Sequence, residues 1–61
     1  MQPYTAYFLN ASGMVVDAQP LHAETAEEAL DLARGRLDES THSAIELWQL
    51  ATRIATVARD E

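Results

Sequence analysis

At 61 residues the chain has room for one domain, and ten acidic residues against four arginines give it a formal charge of −6 and a pI near 4.6. With no cysteine, disulfides and thiolate-bound zinc are excluded, so packing alone must hold a domain that buries only about 60% of its unfolded surface. Arg34, Arg36, Arg53 and Arg59 are scattered, which excludes the clustered cations that direct binding of nucleic acid or an anionic membrane demands.

The first segment, Tyr4 to Leu9, is rich in aromatic and β-favouring residues and ends at Asn10-Ala11-Ser12-Gly13 before a second apolar run, Met14-Val15-Val16. This is a hairpin signal, with Gly13 free to take the positive φ of a short loop. The second strand is expected to continue toward His22, and Pro20, lacking an amide donor, places it at a sheet edge or a bulge. Thr25-Ala26-Glu27-Glu28 reads as a capping box, in which the threonine hydroxyl accepts from an early helix amide and Glu28 reaches back. Ala26, Ala29, Leu30, Ala33 and Leu37 then recur at helical spacing as one apolar stripe, and the polar stretch Glu39 to Ser43 ends the helix.

Two readings compete for the last third. As a helix, Ser43-Ala44-Ile45-Glu46 caps a stripe of Ala44, Leu47, Trp48, Ala51, Ile54, Ala55 and Ala58, giving ββαα, and pattern alone slightly favours it. As a hairpin, Ala44 to Gln49 and Arg53 to Arg59 form two strands around Leu50-Ala51-Thr52, supported by the β-branched Ile45, Thr52, Ile54, Thr56 and Val57.

Taken together, the YFLNASG run ending at Gly13, the capped central helix and IELWQLATRIATV at positions 45–57 resemble a group of small uncharacterised bacterial proteins. That resemblance implies a ββαββ layout, an α+β domain with an antiparallel sheet and one helix packed on one face. It implies no activity and no functional residue. The sequence departs from the group at Gln49-Leu50, where the group tends to carry a turn glycine.

No chemistry-bearing constellation emerges. His22 and His42 lie in different segments and share no cysteine or HxxxH partner, so neither a metal nor a cofactor is expected. Ser12, Ser40 and Ser43 sit in turn or cap contexts, two glycines cannot build a phosphate-cradling loop, and adjacent carboxylates on a helix splay apart. A non-enzymatic protein is the expectation. No run approaches the roughly 18 apolar residues of a membrane span, and the N-terminus lacks a basic flank before an apolar stretch, so a cytoplasmic location is expected.

Tyr4, Ala6 and Phe8 fall on one side of the first strand and Thr5, Tyr7 and Leu9 on the other, so both faces carry apolar groups and something should cover the second. Tyr7, Leu9 and Trp48 are expected to contribute to an exposed sheet surface for dimerisation or a protein partner, with Trp48 as simple core the competing placement. The second candidate surface is acidic: Glu24, Glu27, Glu28, Asp31, Asp38 and Glu39, offset only by Arg34 and Arg36. Spaced carboxylates could imitate a phosphate backbone and occupy a basic, nucleic-acid-binding groove, as some phage-encoded anti-CRISPR inhibitors do, although the likeness is one of size and charge class alone. The expected role is an acidic binder or inhibitor of a protein with a basic surface. The alternative is a dimeric structural or regulatory domain.

Overall fold

A computed structural model describes residues 1–58; Arg59, expected at the end of the last strand, lies outside the described residues. The elements are β1 (Gln2–Leu9), β2 (Val15–Ala23), α1 (Ala26–Asp38), β3 (Ala44–Gln49) and β4 (Thr52–Ala58). They form one antiparallel sheet of order β2-β1-β3-β4 with a single helix, so the chain is an α+β domain of ββαββ layout. Both β2 and β3 pair with β1 in antiparallel fashion and therefore run parallel to each other, and α1 supplies the crossover that such a connection needs.

The first hairpin closes through its own polar groups. The Asn10 and Gly13 amides donate to Met14 O at 3.0 Å and Asn10 O at 2.9 Å, while Asn10 Oδ1 accepts from the Ser12 and Met14 amides. Gly13 takes φ +82°, the left-handed residue that a three-residue loop requires. Pro20 lies opposite Thr5 on the edge strand β2, where its missing donor removes no bond from the ladder.

Thr25 is extended at φ −134° and its hydroxyl accepts from the Glu28 amide at 3.1 Å, which starts α1 where expected. Among the described residues, the Glu28 carboxylate does not close the box by bonding back to the cap. Ala29, Ala33 and Leu37 are buried and Leu30 packs beside them, whereas Ala26 at the helix start is exposed. Gly35 is accommodated within the helix, which runs to Asp38.

The helical alternative for the last third is overturned. Residues 44–58 form the β3–β4 hairpin because β1 has an unpaired edge to offer, and the β-branched side chains that weaken a helix suit a pleated surface. The Ser43 amide, read as part of a cap, donates to Leu9 O at 3.0 Å. Leu50 and Ala51 form a two-residue loop between Gln49 and Thr52, with φ +55° at Leu50. A positive φ at the first central residue alone is the pattern of a type II′ turn, a position that normally holds glycine.

The main core cluster lies between α1 and one face of the sheet. Tyr4, Ala6 and Phe8 of β1, Leu21 and Ala23 of β2, and Ile45 and Leu47 of β3 meet Ala29, Ala33 and Leu37 of the helix. The four alanines Ala6, Ala23, Ala29 and Ala33 are fully enclosed. No polar or charged residue is buried there among those described.

Candidate functional site

A single helix can cover one face of a four-stranded sheet, so the strand register fixes what the second face presents. Opposed residues in an antiparallel pair point the same way. Four aligned rows follow: His22 beside Pro3; Pro20, Thr5, Trp48 and Arg53; Ala18, Tyr7, Glu46 and Thr56; and Val15, Leu9, Ala44 and Ala58. Leu47 and Trp48, which the helical reading placed on one stripe, stand on opposite sides of β3.

Trp48 is therefore outside the helix-covered core. It is half-buried, its ring meets Tyr7 edge-on at 6.1 Å between centroids, and its indole N–H donates to Glu46 Oε1 at 3.2 Å. Arg53 approaches the same carboxylate at 3.8 Å. Val15, Tyr7, Glu46, Trp48 and Leu50 line a shallow groove of about 310 Å³. Leu9, expected to be exposed beside Tyr7, is only 8% accessible, enclosed by Val15 of β2 and Ala44 of β3 on either side. Glu46 and Arg53 were missed by sequence reasoning. Once residues 44–49 are accepted as a strand, the i, i+2 spacing of Glu46 and Trp48 places both on this face.

The acidic surface lies across the molecule. Glu24, Glu27, Glu28, Asp31, Asp38 and Glu39 are all exposed, and among the described residues none is in an ion pair. On the helix, Glu27, Asp31 and Asp38 recur four and seven residues apart and so share a stripe facing away from Ala29, Ala33 and Leu37. Arg36 bonds to Gln19 Oε1 on β2 rather than to a neighbouring carboxylate. Glu27 and Glu28 stand in the first turn, where negative charge suits the helix dipole; Asp38 and Glu39 stand at the last turn, where it does not.

The histidines stay apart. His22 is exposed on β2, while the His42 ring tilts against Phe8 with centroids 5.1 Å apart. Phe8, Gln19, Arg36, Glu39, Ser40 and His42 line a second depression at the C-terminal end of the helix, of about 380 Å³. Among the described residues no group of three or more His, Asp or Glu side chains could hold a metal ion, and no helix is long and apolar enough to cross a membrane. Comparison with family models, with curated proteins and with solved structures gives no match to this chain.

Proposed function

We propose that this chain is a non-enzymatic protein-interaction module whose helix presents an anionic surface to a protein with a basic groove, in the manner of a small acidic inhibitor or phosphate-backbone mimic. The observation that carries this reading is the placement of Asp38 and Glu39. At a helix C-terminus negative side chains oppose the dipole, and the like-charged Glu27 and Asp31 sit four residues apart, so neither choice serves helix stability. Carboxylates placed where they do not help the helix, exposed and outside any ion pair among the described residues, are open to a basic partner.

The test is a triple variant, Asp31→Asn, Asp38→Asn and Glu39→Gln, which removes three charges while leaving the Thr25 cap and its first-turn glutamates intact. Used as bait beside the unaltered chain at about 50 mM and about 300 mM salt, it separates electrostatic capture from other binding, because screening shortens the reach of exposed charges. The expected result is basic proteins held by the unaltered chain at low salt, released at high salt, and absent from the variant, whose melting temperature is unchanged or higher. Equal capture by both baits at both salt levels removes this reading.

A further inference from the structure

The sheet face that α1 leaves open differs in charge from the rest of the molecule. Eight of the chain's acidic residues lie among the described positions, and only Glu46 falls on this face. Its carboxylate is met by Arg53, so the face is close to neutral in a chain of charge −6. Asp17, the other strand carboxylate, lies opposite Phe8 and points to the helix side. Around the Tyr7–Trp48 contact, the neighbours Thr5, Ala18, Ala44 and Thr56 are small and uncharged.

We infer that this open face is the seat of a second copy of the chain, giving a face-to-face dimer with the sheets inside and both acidic helices outside. Charge selects the occupant. A basic partner has its complement on the helix, an acidic partner is repelled by the chain as a whole, and a second copy brings an equally neutral apolar face. Stacked sheets lie about 10 Å apart, so each helix is separated from the other by both sheets, well beyond the Debye length of about 8 Å at physiological salt. The repulsion that would oppose association through any other surface is screened in this arrangement.

Area agrees with this. The molecule is a plate of 31 × 20 × 15 Å. Four strands at roughly 4.8 Å spacing and about six residues in length give a face of about 400 Å² in projection. Side-chain relief, with Val15 and the 87%-exposed Leu50 at the margins, adds to this and brings the face toward the lower end of the ~600–1,000 Å² per partner that a specific interface buries. Two aromatic anchors at the centre and a small-residue surround are what a well-packed contact uses. A chain this short also gains from a partner the burial it cannot find alone.

The test is sedimentation of the full chain from about 1 µM to about 1 mM, a range that spans the affinities expected for an interface of this size. The expected result is a rise from 6.7 kDa to twice that mass. Thr56→Glu and Ala18→Glu, at exposed positions on the face, leave the fold intact by far-UV circular dichroism. Each raises the dimer dissociation constant by about a hundredfold or more, because charge is placed opposite its own copy. A chain that stays at 6.7 kDa at the highest concentration, or folded face variants that associate as the unaltered chain does, overturns the inference. The two surfaces separate cleanly: the triple helix variant keeps the dimer, whereas Thr56→Glu loses it and keeps salt-sensitive capture of basic proteins.

Discussion

The two faces of this one sheet are built from alternate residues of the same strands, yet they follow different rules. The helix-covered face is closed and apolar, with Phe8, Ile45 and Leu47 almost wholly enclosed. On the open face, Tyr7 and Trp48 are half-buried, a carboxylate accepts from an indole, and an arginine reaches the same carboxylate. Folding can account for the first face completely. The second holds the largest side chain of the protein where no described element covers it.

The sharpest way to break this comparison is to truncate one aromatic residue on each side. Phe8→Ala removes a buried ring from the core and is expected to lose about 3–5 kcal/mol. That approaches the whole stability of a domain this small, at roughly 0.05–0.15 kcal/mol per residue, so circular dichroism should show a largely unfolded chain at 25 °C. A cooperatively melting Phe8→Ala variant with little loss of stability would mean that the helix-covered face is not the core that holds the molecule together.

Trp48→Ala gives the smaller and more informative effect. In one copy it forfeits the edge contact with Tyr7 and part of a half-buried surface, about 1–1.5 kcal/mol, or a fall of roughly 5–10 °C in melting temperature. Its signature is in concentration dependence. For the unaltered chain the melting temperature should climb with protein concentration, since a partner that binds only the folded state stabilises it by mass action. In Trp48→Ala that slope should vanish. Wholesale unfolding would instead return Trp48 to the core.

The same contrast explains what could be read from the sequence. In β1 the alternation of Tyr4, Ala6 and Phe8 with Thr5, Tyr7 and Leu9 already divided the two faces, because a strand's period of two depends on nothing beyond the strand. Thr25 and the stripe of Ala29, Ala33 and Leu37 located the helix by equally local signals. Residues 44–58 were ambiguous because local propensity there is balanced, and the decision came from pairing with β1, almost 40 positions earlier in the chain. Leu9 misled because alternation gives a side chain's direction but not its cover: its neighbours Val15 and Ala44 are set by register. Glu46 and Arg53, on different strands, could be joined only by that register.

Leu50 supplies the smallest and most discriminating prediction. It occupies a turn position at φ +55° where glycine is at ease, and its side chain is 87% exposed, so in a single copy it gives the fold almost nothing in return for the strain. Left-handed backbone at a non-glycine residue costs about 1–3 kcal/mol, and glycine's greater freedom in the unfolded chain takes back about 0.5–1. Leu50→Gly is therefore expected to stabilise the monomer by about 0.5–1 kcal/mol, a rise of a few degrees in a dilute thermal melt. Leu50 also lines the groove beside Trp48 and Val15. If the open face receives a second copy, the same substitution removes an apolar margin and weakens the dimer several-fold, so dilute and concentrated melts should shift in opposite directions. Gain at both concentrations would make Leu50 a mere imperfection of the turn, whereas opposite shifts would show a residue unfavourable to the fold of one molecule and useful in the contact between two.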